Sequence, residues 1–360
     1  MNNEATPRPR TPLIGMTLDE LRTVAAKAGL RPFAASQIAR RLYVGRVRSI
    51  SEMTELPKAA RAWLEENYQV GLEPPRLASR STDGTVKYLF ATRTTNVDYL
   101  TGARGSLIDI EAVYIPDRDR ATLCVSSQAG CRMGCRFCMT GLQGLHGSLT
   151  AAGIINQILS IPESQQLTNI VFMGMGEPMD NVDEVLKVLE VLTAPWGLAW
   201  SPKRITVSSI GKLDGLRRLL EETKVHVAIS VHTPYPSERE DLMPVERAFP
   251  LTKVVELLRG YDFAHQRRLS AEYIMWAGVN DDMRHADALA RALRGVDCRV
   301  NLIRFHAIPG FEGQPATRVA MERFRDRLNE LGVTATIRTS RGEDIEAACG
   351  MLSGEQAVNS

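Results

Sequence analysis

From about residue 120 onward, short apolar runs alternate with amphipathic ones. The apolar runs are ATLCVS, NIVFMG, RITVSS, VHVAISV, LSAEYIM, RVNLIRFH and TATIRT, and their β-rich composition predicts strands. Between them, TAAGIINQILSI, NVDEVLKVLEVLT, LDGLRRLLEET, TKVVELLRGY, RHADALARALRG and ATRVAMERFRDRLNELG carry apolar residues at helical spacing. Such alternation predicts a parallel sheet with helices packed outside it. Seven strands suit a curved or partly closed barrel at least as well as an open doubly wound sheet. In both, active sites gather on the loops that follow strand C-termini.

The front of the chain has a different texture. Residues 17–29 open on Thr17 with Glu20 three positions later, a capping box, and Leu18, Leu21, Val24 and Ala25 follow at helical spacing. Gly29 stops that helix. Residues 32–45 and 56–68 predict two more helices, and residues 84–93 and 108–116 predict strands. The chain therefore divides into a small, mostly helical module with linker strands (1–95), a β/α domain (96–352) and a tail (353–360).

Composition narrows the setting. With 360 residues and 44% hydrophobic content the chain buries a core without covalent staples. The polar, Pro-rich start lacks the apolar segment of a signal peptide, and no run approaches the length of a membrane span. A reducing cytoplasm is the expected compartment, where clustered cysteines bind metal or do chemistry. Net charge is only +2, but residues 1–50 hold nine Arg/Lys against three Asp/Glu. That excess suits either a solvated helix face or a surface that tracks phosphates.

Four of the six cysteines fall within residues 124–138. Cys131, Cys135 and Cys138 lie in CRMGCRFC, on the loop after the first strand of the alternating region, and Cys124 lies within that strand. A disulfide knot, a zinc site and a redox cluster compete. Structural zinc asks for four ligands, which Cys124 completes only from inside a strand. Three thiolates suit a [4Fe–4S] cluster with one iron left open to an outside ligand.

The C-x3-C-x2-C spacing, with Phe137 before the last cysteine, resembles the signature of radical S-adenosylmethionine (SAM) enzymes. The resemblance implies a partial (β/α)6 TIM-like barrel, with SAM held on the open iron and cleaved to a 5′-deoxyadenosyl radical. Downstream features keep the same order. MGMGEP (173–178) follows the second strand and offers Gly176 and Glu177, Ser208 ends the third strand, and Ser230, Val231 and His232 end the fourth. All are candidate SAM-binding residues.

Further stretches narrow the resemblance. ATLCVSSQAGCRMGCRFCMTG, FMGMGEPMDN, SPKRITVSSIG, the SVH triplet and RGEDIEAACG are similar to the RlmN family of adenosine-C2 RNA methyltransferases, whose close relatives are the C8-specific Cfr enzymes. The resemblance implies two SAM molecules per turnover. One methylates Cys349. A radical formed from the other activates that methyl group, which adds to the adenine ring. Glu111 is then the candidate base for the ring proton. Cys124 attacks Cys349 to release the product as a disulfide forms, so Cys124 and Cys349 are expected to be neighbours.

The implied substrates are 23S rRNA and the adenosine 3′ to the anticodon in tRNA, with the basic module on RNA phosphates and Arg338 and Arg341 contributing to the groove. An electron-donor protein such as a flavodoxin or ferredoxin system and a monomeric state are further expectations. One departure stands out. His306 in FHAIPG occupies a position where many members carry Asn, so it fills the role if a backbone contact to SAM is what counts; if the side-chain amide is required, the contact is in doubt or Asn301 supplies it. The rivals are a C8 methyltransferase, a radical SAM maturase acting on protein, and a non-enzymatic metal-containing RNA-binding protein.

Overall fold

A computed structural model describes residues 10–95, 107–265 and 267–353. The charges at Glu4 and Arg8, the far side of the division after residue 95, and the tail from residue 354 lie outside the described residues.

Ten strands form the main sheet: β1 (Leu77–Arg80), β2 (Val86–Arg93), β3 (Leu107–Asp117), β4 (Arg120–Cys124), β5 (Asn169–Phe172), β6 (Ile205–Ser209), β7 (His226–Ser230), β8 (Leu269–Met275), β9 (Arg299–Arg304) and β10 (Ala335–Ile337). They pair in the order β10-β9-β8-β7-β6-β5-β4-β3-β2-β1. From β4 to β10 all neighbours are parallel, whereas β1 to β4 pair antiparallel. The seven apolar runs are thus the seven parallel strands. The order is linear, so the barrel is partial. Its lateral opening lies between β10 and the β3–β4 hairpin, where Thr336 and Ile337 line the same groove as Ile115 and Thr122.

Helices connect the parallel strands as the pattern predicts: α4 (Ala151–Leu159), α5 (Val182–Thr193), α6 (Leu213–Glu222), α7 (Leu251–Leu258), α8 (Met283–Ala292) and α9 (Arg318–Glu330). Each buries one stripe. In α6, Leu216, Leu219 and Leu220 are buried while Arg217 and Glu221 face solvent. The strands meet them with Ile170, Val207 and Val300, all fully buried. Each such side chain contributes roughly 1.5–3 kcal/mol.

In the front module, α1 (Leu18–Lys27) starts on the expected box, with Thr17 N donating to Glu20 Oε2 at 2.8 Å and Glu20 N donating to Thr17 Oγ1 at 3.3 Å. α2 (Ala34–Ala39) is shorter than the 32–45 pattern predicts, because the chain widens into one looser turn at Arg40–Val44. That turn buries both Leu42 and Tyr43, and Tyr43 donates to Met16 O at 2.8 Å. α3 (Lys58–Asn67) completes the module. It docks on the β/α domain at Gly15, whose φ of +80° and 2.3 Å clearance to Ala152 N leave no room for a Cβ. Lys187 in α5 pairs with Glu20 at 2.9 Å across the same contact. Arg22, Lys27, Arg31, Arg40 and Arg48 remain exposed.

Candidate functional site

The cysteine loop is more constrained than a free βα loop. After β4 the chain makes a short strand at Gln128–Gly130 that pairs antiparallel with Leu145–Ser148, and CRMGCRFC lies between these two arms. Cys131 N donates to Gly144 O at 2.8 Å, closing the base of the loop. All three thiols are free and line one cavity at the C-terminal ends of the parallel strands. Burial pushes the Cys131 thiol up to about 12, and burial followed by repulsion from Cys138 and Cys131 raises Cys135 well above its ordinary value. Without a metal these sulfurs stay protonated. Among the described residues no three His, Cys, Asp or Glu side chains converge on a single metal position. Three sulfur donors spread over a shared wall, with no fourth in the loop, fit a cubane cluster that keeps one iron for an outside ligand.

The loop after β5 forms the next wall. Gly176 has φ +95°, and a Cβ there would fall 2.4 Å from Gln128 Cβ, so only glycine lets the two loops touch. Glu177 is buried beside it. Its Oε1 accepts from Ser209 Oγ at 2.7 Å and Met179 N at 3.1 Å, and its Oε2 accepts from Ile210 N at 3.0 Å. Burial nevertheless raises its carboxyl to about 7. Ser208 and Ser230, at the ends of β6 and β7, line the same cavity.

His232 adopts φ +61°. Its Nδ1 accepts from Ile274 N at 3.1 Å, which assigns the proton to Nε2, and its ring stands edge-on to Phe137 at 4.9 Å. Burial, with Arg239 nearby, lowers it to about 3, so the imidazole is neutral across the physiological range.

Two expected SAM residues take other positions. Val231 is buried behind the cavity wall, with its carbonyl accepting from Arg239 Nε at 3.2 Å. His306 lines the lateral groove rather than the cysteine cavity, and its Nε2 lies 3.1 Å from Ser340 Oγ. Asn301 is held within the sheet, donating to Glu272 Oε1 at 2.8 Å.

Cys124 and Cys349 come to one place in the fold. They line a common small cavity together with Cys138 and Arg338. Cys349 also faces both the cysteine cavity and a lateral groove of about 930 Å³. Cys124 is buried and pushed up to about 12, first by burial and then by the charge of Cys349. The Cys349 segment is strapped across the opening. Asp344 accepts from Ser81 Oγ at 2.6 Å, Gly342 N donates to Asp83 at 3.0 Å, and Met139 N donates to Gly350 O at 2.8 Å.

Glu111 is buried on β3, paired with Lys87 Nζ at 3.1 Å and accepting from Ser353 N at 2.8 Å. Cys124 registers with Val113, so Glu111 lies two residues along the same face, roughly 7–8 Å away on the diagonal.

Sequence reasoning missed several supporting residues. Asp180 ties Lys212 and Arg132 together beneath the cysteine loop at 2.5 Å each. Buried Arg239 pairs with Glu246 and donates to Ser230 O at 2.9 Å and Ile210 O at 3.2 Å, clamping two strand ends. Glu272, mid-strand in LSAEYIM, lines the cysteine cavity. An acid inside an otherwise apolar strand was the available signal for it.

Comparison with known proteins gives the family. Residues 125–290 match the radical SAM superfamily, and residues 11–70 match the ribosomal RNA large subunit methyltransferase N-terminal domain. A protein of Parabacteroides distasonis named "Probable dual-specificity RNA methyltransferase RlmN" is 57% identical over 346 residues, covering 96% of this chain and 97% of its own. The dual-specificity RNA methyltransferase RlmN of an Anaeromyxobacter species is 38% identical, covering 97% and 92%. The crystal structure of a radical SAM methyltransferase from Sphaerobacter thermophilus superposes with a TM-score of 0.86 at 36% identity, covering 96% of this chain and all of that one.

Proposed function

This chain belongs to the RlmN family of radical SAM RNA methyltransferases, and we propose that it methylates carbon 2 of an adenosine in 23S rRNA and of the adenosine 3′ to the anticodon in tRNA. The observation that carries the reading is the position of Cys349, which faces the three-cysteine cavity, Cys124 and the open groove at once. A radical SAM site alone has no use for that second pair of thiols.

A [4Fe–4S] cluster and SAM belong to this family's domain, and we assign Cys131, Cys135 and Cys138 as the cluster ligands. Bound there, they supply a methyl group and the radical chemistry needed at an unactivated ring carbon. Gly176, Glu177, Ser208, Ser230 and His232 hold SAM across the strand ends, with Val231 packed behind them and His306 contributing from the groove side. Cys349, as a thiolate, receives the methyl group of one of two SAM molecules used per turnover. Glu111 takes the C2 proton, with Lys87 Nζ 3.1 Å from its carboxylate. Cys124 then attacks the Cys349 sulfur. An S–S bond forms as the S–C bond to product breaks, and two electrons from a thiol reductant restore both thiols.

The RNA reading rests on charge and shape. The front module within residues 1–95 presents exposed arginines and Lys27, and the groove beside Cys349 is lined by Arg118, Arg120, Arg338 and Arg341. An adenine unstacked from its neighbours enters that groove. Residues 96–352 form the catalytic domain. A flavodoxin or ferredoxin system delivers the electron, the enzyme works as a monomer, and its compartment is the cytoplasm. Among the described residues no helix is long and apolar enough to cross a membrane.

The test is anaerobic turnover of reconstituted protein with deuteromethyl-SAM and a 23S rRNA fragment. Label on adenosine C2 that passes through the Cys349 peptide supports the reading. Label on C8 moves the assignment to a Cfr-type enzyme, and no label on Cys349 removes its carrier role.

A further inference from the structure

Both oxygens of Glu111 are held, but from two different kinds of support. Ser353 N, on the strap, donates to Oε2 at 2.8 Å. Lys87 Nζ, on β2, stands 3.1 Å from Oε1. The Glu111 side chain is 2% exposed and that of Lys87 15%, so water screens the pair little.

The sheet itself puts Lys87 there. Val113 on β3 registers with Lys87 on one side and with Cys124 on the other. Residues opposite one another share a face of a sheet, and so do residues two positions apart on one strand. Lys87, Cys124 and Glu111 therefore stand on one face, and the diagonal from Lys87 to Glu111 is one that a long side chain spans. β2 pairs with β3 along its whole length, Val86 to Arg93, which makes a stiff mount.

Lys87 reaches the strap as well. Its Nζ donates to Glu346 O in a longer contact of 3.4 Å. Glu346 adopts φ +52°, a left-handed conformation that a residue other than glycine keeps only where its surroundings hold it. Glu346 precedes Cys349 by three positions and Ser353 follows it by four. Lys87 and Glu111 together thus tie both flanks of the Cys349 segment to the sheet.

On the reading that Glu111 is the base for the C2 proton, these contacts cannot all persist. Glu111 is 1% exposed, and an oxygen that meets a ring hydrogen has to be uncovered. Ser353 belongs to the strap and Lys87 to the sheet, so the Oε2 contact is the one that opens. A carboxylate released at both oxygens rotates about its side-chain bonds, whereas one pinned at Oε1 keeps its aim. We propose that Lys87 is a positioning residue for proton removal: it holds Glu111 Oε1 so that Oε2 stays aimed at the place where Ser353 N now sits.

The test follows the RNA–protein adduct on denaturing gels, in single turnovers of reconstituted enzyme with a 23S rRNA fragment. Lys87→Met, Lys87→Arg, Glu111→Gln and the double variant Lys87→Met/Glu111→Gln are matched for iron content and Cys349 methylation. Lys87→Met is expected to form adduct to the wild-type extent and to resolve it about a hundredfold more slowly, the scale of a small misplacement. Lys87→Arg, which keeps a cation, recovers a large part of that loss. In the Glu111→Gln background Lys87→Met slows the residual resolution no further, because a residue that acts through another adds nothing once the other is gone. A lysine that only supports the fold shows neither the rescue nor this dependence.

Resolution at the wild-type rate in Lys87→Met overturns the assignment, as does slowing that persists undiminished in the Glu111→Gln background. Should Lys87→Met not take up iron, Lys87→Gln carries the same comparison. If Glu111→Gln alone resolves the adduct normally, the base reading falls and takes this assignment with it. A stalled Glu111→Gln beside a normal Lys87→Met removes Lys87 only.

Discussion

Cys124, at the C-terminal end of β4, and Cys349, on the strap that crosses the barrel's open side, line one small cavity with Arg338, and Cys349 and Arg338 also line the groove. Both thiols are free, one buried and the other exposed. That contrast suits unequal duties. The exposed sulfur can meet a substrate, while the buried one is kept protonated and unreactive until its neighbour changes.

Replacing either cysteine separates those duties. Cys349→Ala is expected to abolish methyl transfer to RNA while leaving the iron content of the reconstituted protein unchanged. Cys124→Ala is expected to keep methylation of Cys349 but to stall before release, with RNA covalently attached. Denaturing gels with labelled RNA and mass spectrometry of the Cys349 peptide check both outcomes.

Glu111→Gln keeps the size of the buried side chain and its contact with Ser353 N but removes the proton acceptor. A general base contributes about 10²–10⁴-fold, so turnover is expected to fall by that order. Single-turnover experiments are expected to show the RNA–protein adduct accumulating instead of product. Normal product formation would remove Glu111 from the mechanism.

Glu177 predicts a pH dependence of stability in the cluster-free protein. Its carboxyl titrates near 7 when folded, because burial disfavours its charge, and at 4.5 in the reference state. Between those values the folded state holds the extra proton. Stability therefore falls as pH rises through that window, by an amount on the order of 3 kcal/mol. Urea unfolding at pH 5 and pH 8 is expected to show a smaller difference for Glu177→Gln than for wild type.

Gly176→Ala tests the close approach of two loops. Its positive φ and the 2.4 Å contact with Gln128 Cβ make an added methyl both strained and crowded. A cost of roughly 1–3 kcal/mol is expected from the backbone alone. SAM affinity is expected to fall with iron content preserved, as measured by equilibrium dialysis.

The front module is tested by salt. Arg31, Arg40 and Arg48 are exposed on it. If each neutralises one phosphate, the triple alanine variant lowers the slope of log affinity against log salt by about 0.7–0.9 per contact. An unchanged slope in filter binding with an rRNA fragment would place the RNA elsewhere.

Much of the architecture was legible in sequence for a local reason. Strand and helix periods repeat over a few residues, so seven parallel strands and the six helices between them follow from pattern, as does the capping box at Thr17 and Glu20. The loop cysteines and Gly176 were legible because turn geometry and ligand spacing are also local. The orientation of the His306 ring was not legible, because its place in a motif does not say which way the ring turns. The ring faces Ser340 and the groove because β10 and the strap pack on that side.

The sequence by itself determined the β/α alternation, the basic helical module and the three thiols on one loop, since each depends on neighbours within a few positions. Tertiary structure alone decided that Cys349 and Cys124 share one cavity, and that Asp344 and Asp83 fasten the strap to the β1–β2 turn. Those relationships join segments far apart in the chain. They exist only because parallel strands in register bring distant side chains to one end of the sheet.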